Sequence, residues 1–417
     1  MNRKWVSALA TSLVVMLSIA ACSSGGSSST SSAKAAVQEF TFVAAEYSSK
    51  TAAYWQDLVT QFEAANPGTK VNLQVINWND ITQKINTLVA TNKAPDLLNI
   101  DGFSGFAGDG LLAPVSDYLP SDTAAKFTPQ LAANGMVKGV QYAVPLLASV
   151  RALFYNKTIF AKVGITTPPA TWSELRKDAL LIKAAGYIGY GLPLGPEEAQ
   201  AEFTLWLYGA GGDWKSGDTW TVNSPQALQA LQEMKDLALK YKVTEVNPGT
   251  TNRDDLYKVF AQGKIGMIEG STFFPTVIQQ QNPDIQIGMG PVPTATTSIP
   301  SASLAVQDYM MAFKSAKNLK LVGQFLAFFY QPTNYVKFLT QEGFLPSTTD
   351  GQQAMASDPV LGPFSKLLPD SKLYPSTDPV WAAVQAQALQ QLGTVVQGQN
   401  SPQSVLDALQ KTAERGK

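Results

Sequence analysis

Three short segments place a hydrogen-bonding side chain beside an aromatic ring: Glu46-Tyr47, Asn77-Trp78 and Asp101-Gly102-Phe103. A carboxylate accepts several hydrogen bonds at once, so it can hold two hydroxyls. A flat apolar ring stacks on the C–H face of a saturated sugar-like ring. Together these groups suit a neutral, hydroxyl-rich molecule. Each residue also has a plainer use: Glu46 and Asp101 can cap the helices that follow, and Trp78 can pack as a flap. Three such ends brought to one edge favour binding over capping.

The rest of the reactive set excludes more than it offers. The chain has no histidine, which removes Ser-His and Cys-His nucleophiles, His-ligated zinc and imidazole pH sensing. Gly102-Phe103-Ser104-Gly105 falls short of a hydrolase nucleophile elbow, because the next residue is Phe106 and no histidine can activate Ser104. No phosphate-cradling loop is visible, so nucleotide hydrolysis would belong to a separate subunit. No cofactor and no metal are expected. Carboxylate catalysis stays open: Glu46 and Asp101 could form a glycosidase pair if they stood about 5 to 10 Å apart.

These residues follow a repeated strand–helix grammar. Phe40 to Ala45 reads as a buried strand, then Tyr54, Trp55, Leu58 and Phe62 recur at helical spacing until Asn66-Pro67-Gly68. Val71, Leu73 and Val75 alternate as a second strand; Ile81, Ile85 and Leu88 mark a second helix; Leu97 to Ile100 is a third strand. Strands alternating with helices predict a parallel sheet faced by helices, and ligands of such sheets bind beyond the carboxyl ends of the strands. A second region of this kind starts near Arg151. Thr171-Trp172-Ser173-Glu174 is a capping box, and Ser224-Pro225 opens another helix. Ile265–Ile268 and Ile285–Ile287 read as short strands, and helical patterns dominate after Leu319.

Composition sets the frame. Of 417 residues, 45% are hydrophobic and 15% charged, enough apolar surface for two domains with real cores. A net charge of -1 gives no reason to expect nucleic acid. The lone cysteine, Cys22, ends the apolar run Leu17-Ser18-Ile19-Ala20-Ala21 behind the basic Arg3 and Lys4. That anatomy is secretory, and it resembles the lipobox of bacterial lipoproteins, where lipid is attached to the cysteine after cleavage. The expected organisation is a signal peptide over 1–21, then lipidated Cys22 and a serine-rich tether over 22–36. A flexible tether of ~14 residues spans roughly 20 Å.

Further motifs resemble one family along nearly the whole chain after residue 37. They include Pro95-Asp96, Gly110-Leu111-Leu112-Ala113-Pro114 and Val144-Pro145. Arg151-Ala152-Leu153-Phe154-Tyr155-Asn156-Lys157 follows, then Pro168-Pro169-Ala170-Thr171-Trp172-Ser173-Glu174-Leu175. Phe260-Ala261-Gln262-Gly263-Lys264, Gly290-Pro291-Val292-Pro293 and Glu342-Gly343-Phe344-Leu345-Pro346-Ser347 complete the series. The chain resembles the extracellular solute-binding proteins of sugar ABC transporters. The resemblance implies a periplasmic-binding-protein-like α/β fold: two α/β lobes joined by hinge segments, with a ligand cleft between them. Crossings are expected near Leu147–Arg151, Pro300–Gln307 and Gly343–Thr348. The first lobe would comprise 37–148 and 302–345, and the second 149–301 and 346–417.

It also implies ligand contacts. Glu46, Tyr47 and Asp101 would line the first lobe, with Ser149 and Arg151 at the first hinge; the strand-end reading adds Trp78. Trp214, Phe273 and Trp381 would approach from the second lobe as aromatic groups, and Asp308 would add a side-chain contact. The implied partners are a neutral carbohydrate or polyol and the permease subunits of an ABC transporter. A monomer is expected, held by its lipid at the outer face of the cytoplasmic membrane and without enzymatic activity. The same fold with a peptide or organic anion is the other reading, though an anion would want clustered cations and only Arg151 is in place.

Overall fold

The computed structural model describes residues 37–368 and 371–415. The expected signal peptide, Cys22 and the tether lie outside the described residues. Strand β1 (Gln38–Glu46) is buried on both faces from Phe42 to Ala45, as a strand covered by helices on either side must be. It pairs in parallel with β2 (Thr69–Asn77), Gln38 against Thr69 through to Glu46 against Asn77. On its other edge it pairs in parallel with β3 (Leu97–Ile100). Helix α1 (Thr51–Ala65) connects β1 to β2, and α2 (Trp78–Ala90) connects β2 to β3. α1 buries Tyr54, Trp55, Leu58, Val59 and Phe62, one apolar stripe at helical spacing. Trp55 meets Phe42 of β1 edge-on at 5.0 Å. A short helix, α3 (Ser104–Gly108), follows β3.

β4 (Val144–Asn156) is thirteen residues long because it serves both halves of one sheet. The later strands are β5 (Ile188–Gly191), β6 (Ile265–Ser271), β7 (Ile287–Gly290) and β8 (Leu304–Ala312). The strand order is β2-β1-β3-β8-β4-β6-β5, with β7 also paired to β4. β4 runs antiparallel to β8 from Val144 to Val150, then antiparallel to β6 and β7 from Arg151 to Asn156. The change of partner between Val150 and Arg151 carries the chain from one α/β lobe to the other. β8 carries it back, so it runs against both β3 and β4. The sheet is therefore mixed where strand–helix alternation alone predicts a parallel one.

The second lobe collects α4 (Trp172–Ala184), α5 (Ala199–Gly209), α6 (Pro225–Lys235) and α7 (Arg253–Ala261). The capping box at Thr171 and Glu174 is present in both directions, and Ser224 caps α6 by accepting from Ala227 N. Every residue of α5 is buried, including Gln200, Glu202 and Thr204.

α8 (Leu319–Phe329) and α9 (Pro332–Glu342) return to the first lobe, where Phe325 meets Phe40 and Phe42 at 5.5 and 5.6 Å. The segment that follows, with α10 (Thr349–Met355), stays there too. Thr348 bridges to Phe127, Thr349 N donates to Lys126 O at 2.9 Å, and Ser347 Oγ lies 2.7 Å from the Tyr335 hydroxyl. Residues 347–355 thus sit on the opposite side from the one expected for them, because Tyr335 and Lys126 bind their backbone. Beyond them, α11 (Val380–Val396) and α12 (Pro402–Arg415) pack on each other and on α5 and α6.

Candidate ligand-binding site

The carboxyl ends of β1 and β3, the start of α2, the middles of β4 and β8 and the first turns of α7 and α11 meet around a cavity of about 260 Å³. Tyr47, Trp78 and Asp101 line it from the first lobe. Ser149 and Arg151 line it from β4 and Asp308 from β8, while Phe273 and Trp381 come from the second lobe. The strand-end logic works here because all three parallel strands of the first lobe point the same way, so the residues after them share one rim.

Two polar clusters shape the cavity. In the first, the Tyr47 hydroxyl donates to Asp308 Oδ2 at 2.6 Å and accepts from Asn99 Nδ2 at 3.1 Å. Asn99 is fully buried and also donates to Tyr309 O at 3.2 Å. Gln385 of α11 reaches across to donate to Asp101 Oδ2 at 3.0 Å. Burial, then the nearby Asp101 charge, pushes the Asp308 carboxyl up to about 7 against the Tyr47 hydrogen bond. Burial raises Asp101 too, although Gln385 opposes it.

In the second cluster, Arg151 pairs with Glu198, and Arg253 pairs with Glu198, with Glu197 at 2.6 Å and with Asp254 at 3.0 Å. Burial pushes Glu198 up, but the two guanidinium groups outweigh it and hold that carboxyl below its usual value. Burial would likewise lower both arginines, and the carboxylates outweigh it. The cluster is an ionic knot in the wall, with the buried Arg151 Nε left without a protein acceptor. Arg253 also lies 5.2 Å from the Phe273 ring centre, and Phe344 sits 5.2 Å from the same ring. Gly343, with φ +80°, follows α9 directly behind Phe273: a Cβ there would stand 2.9 Å from Phe273 Cα. A side chain at position 343 would therefore crowd the backbone that carries Phe273.

The aromatic wall of the second lobe is Trp381, stacked on Tyr374 at 4.9 Å. The half-buried Trp78 faces the cavity from the first lobe, edge-on to Tyr47 at 5.8 Å.

Two expected contacts lie elsewhere. Trp214 is fully buried: its Nε1 donates to Thr204 Oγ1 at 2.9 Å and its ring backs Trp381 edge-on at 5.0 Å. It is core behind the wall, held there by a hydroxyl from the buried helix α5. Glu46 sits at the last register position of β1 and accepts from Asn77 Nδ2 at 3.1 Å. Strand alternation turns Glu46 away from the cavity and leaves Tyr47, one residue on, to line it. Asn77 itself caps α2 by accepting from Asn79 N.

Glu197, Glu198, Gln200, Arg253, Tyr374 and Gln385 line the cavity without having been singled out from the sequence. The adjacent acids in Gly195-Pro196-Glu197-Glu198 were the one local signal. Nothing local says that Glu198 meets Arg151, 47 positions away.

A mixed sheet divided between two α/β lobes, with a polar and aromatic cavity between them, is the architecture of periplasmic-binding-protein-like receptors. A family profile for bacterial extracellular solute-binding protein matches residues 47–336, and the chain belongs to that family. A Brucella abortus (strain 2308) protein named as a binding protein is 30% identical over 378 residues, covering 88% of this chain and 90% of its own length. The diacetylchitobiose binding protein DasA of Streptomyces coelicolor is 27% identical over 339 residues, 78% of this chain and 77% of its own. Among solved structures, an ABC transporter solute-binding protein from Thermotoga lettingae bound with α-D-tagatose superposes with a TM-score of 0.81 at 23% identity. It covers 91% of this chain and 99% of that one. Maltose-bound MalE3 of T. maritima gives 0.79 at 19% identity, covering 90% and 99%.

Proposed function

We propose that this chain is the substrate-binding receptor of an ABC transporter. It captures a sugar or polyol between its lobes and hands it to the permease without altering it. The observation that carries this reading is the cavity wall: Asp101 from the end of β3 and Asp308 from β8 for hydroxyls, beside Trp78, Tyr374 and Trp381 for ring faces. A relative named for diacetylchitobiose, and solved structures of the same fold bound with tagatose and with maltose, support the same class. The cavity of about 260 Å³ lies near the small end of the range of about 300–1,000 Å³ for small-molecule pockets, which suits a solute of one or two rings. An organic anion is disfavoured because Glu197, Glu198 and Asp254 already answer Arg151 and Arg253. A glycosidase is disfavoured because Glu46 does not share the cavity with Asp101.

The mechanism is hinge closure. Residues from both lobes touch the solute only when the lobes are shut, so binding shifts the open–closed equilibrium by its differential affinity. The hinges lie in β4, in the approach to β8 and near Gly343, with residues 347–355 moving with the first lobe. The anchor is a lipid on Cys22, placing the receptor as a monomer at the outer face of the cytoplasmic membrane. No helix of the described residues is long and apolar enough to cross a membrane.

A thermal-shift screen against sugars, polyols and organic anions tests the reading. A sugar or polyol should raise the melting temperature by mass action; a response to organic anions alone refutes it. In the same cells, Cys22→Ala should move the protein from the membrane fraction to the soluble one, and unchanged retention refutes the lipid anchor.

A further inference from the structure

We propose that Asn79 and Asn252 form a latch across the cleft, a pair of positioning residues that sets how long the solute is held without touching it. This rests on the sugar-receptor reading and adds to it a control point outside the cavity.

The pair joins the two lobes. Asn79 lies in the first turn of α2, in the first lobe, and Asn252 immediately precedes α7, in the second. They are 173 positions apart, and Asn252 Nδ2 donates to Asn79 Oδ1. Neither lines the cavity, although their chain neighbours Trp78 and Arg253 do. Two other hydrogen bonds cross from lobe to lobe: Gln385 Nε2 to Asp101 Oδ2 at 3.0 Å, and Ser104 Oγ to Asp378 O at 3.4 Å. Those are made by Gln385, Asp101 and Ser104, which line the cavity. The asparagine pair holds the lobes together independently of the solute's own contacts.

The surroundings of Asn252 are shaped for this contact. Asparagine is among the best helix N-caps, and Asn252 has the extended backbone of a cap (φ -80°, ψ 154°). Its side chain nonetheless makes no cap hydrogen bond to α7. Instead its Oδ1 accepts from Glu197 N at 3.4 Å, and a Cβ at Gly195 would stand 2.2 Å from that oxygen. The glycine leaves room for the amide, and the loop through Glu197 orients it. Glu197 Oε2 in turn accepts from Arg253 N at 3.0 Å, at the helix end that Asn252 leaves uncapped. With Oδ1 turned to Glu197, the NH2 group is the end that faces α2. There Asn77 holds the opposing backbone by accepting from Asn79 N at 3.0 Å.

The solute leaves only after the lobes part, so release breaks the latch. Entry starts from parted lobes and does not. A hydrogen bond of ordinary net strength shifts an equilibrium by roughly fivefold. Its loss should act on release and spare association.

The test is stopped-flow binding by the whole protein, with maltose, D-tagatose and diacetylchitobiose as probes and the tightest of them used for kinetics. Asn79→Ala and Asn252→Ala should each speed release roughly fivefold, with association unchanged within about twofold. The double variant should be no faster than either single one, because both remove the same bond. Asn79→Asp keeps an acceptor for the Asn252 NH2 group and should restore slow release, which separates a lost bond from a lost fold. Unchanged release in both alanine variants, or effects that multiply to about twenty-five-fold in the double variant, overturn the latch and leave the sugar-receptor reading intact. If none of the three sugars binds, X-ray scattering of the protein alone decides. The radius of gyration should then be larger in Asn79→Ala than in the wild type and Asn79→Asp, and equal values overturn the latch. The sugar reading itself stands or falls separately, on the thermal-shift screen.

Discussion

Replacing Trp214 by alanine separates wall from core. The indole is 0% exposed, packed edge-on against Phe203 at 5.5 Å and Trp381 at 5.0 Å. Truncating a buried tryptophan costs about 3–5 kcal/mol. The lost Nε1 hydrogen bond adds little, because Thr204 Oγ1 still donates to Gln200 O at 2.6 Å and is not orphaned. Unfolding entropy of ~2.1 cal/mol/K per residue over roughly 380 residues is ~0.8 kcal/mol/K, so a loss of ~4 kcal/mol lowers Tm by ~5 °C. Trp381 keeps its stacked partner Tyr374 at 4.9 Å, so it stays in place when Trp214 goes. The Kd for the best sugar should therefore change by less than about threefold in Trp214→Ala, under ~0.7 kcal/mol. In Trp381→Ala, which removes part of the cavity lining, it should rise by about tenfold or more. Scanning calorimetry and titration calorimetry read the two quantities. If Trp214→Ala lost affinity as Trp381→Ala does while keeping its melting temperature, the assignment of Trp214 to the core would be refuted.

Two other outcomes follow from the same geometry. A Cβ at Gly105 of α3 would lie 3.1 Å from Ala382 Cβ of α11, so Gly105→Leu should prop the lobes apart. If the closed fraction falls to about a tenth, apparent affinity drops about tenfold and the radius of gyration by X-ray scattering rises; an unchanged profile with unchanged affinity contradicts this. The second outcome concerns pH. Burial pushes Asp308, Glu202 and Glu245 each up to about 7. The neighbours of Asp308 divide: Asp101 and Glu198 push the same way, while Tyr47 and Arg253 oppose. Between about pH 4 and 7 the folded chain holds protons that the unfolded chain releases, so stability falls as pH rises through that window and then levels. Glu198, held low, contributes in the opposite sense only below its usual range. The melting temperature should be higher near pH 5 than near pH 8; a rise with pH would contradict the burial of these carboxyls.

Local rules read the local elements well. The stripe of Tyr54, Trp55, Leu58 and Phe62 and the caps at Thr171 and Ser224 each depend on neighbours within one or two turns, which is why periodicity and side-chain chemistry suffice for them. Strand ends were legible too, since the residue after a buried run is placed by the run itself, as Tyr47 and Asp101 are. Face was harder: Glu46 and Tyr47 are neighbours in the chain, and only the register of β1 against β2 decides which of them the cavity receives.

What this chain settles by itself is its exclusions and its alternation: no imidazole chemistry, near-zero net charge, and helices following strands. The division of β4 between two sets of partners needed the folded molecule, because the partners of a strand are chosen by packing at a distance and not by its own side chains. The ionic knot of Arg151, Glu198 and Arg253 was decided there as well. So was the retreat of Trp214 into the core. Each depends on which surfaces the hinge brings together, and long-range contacts leave no periodic trace in the sequence.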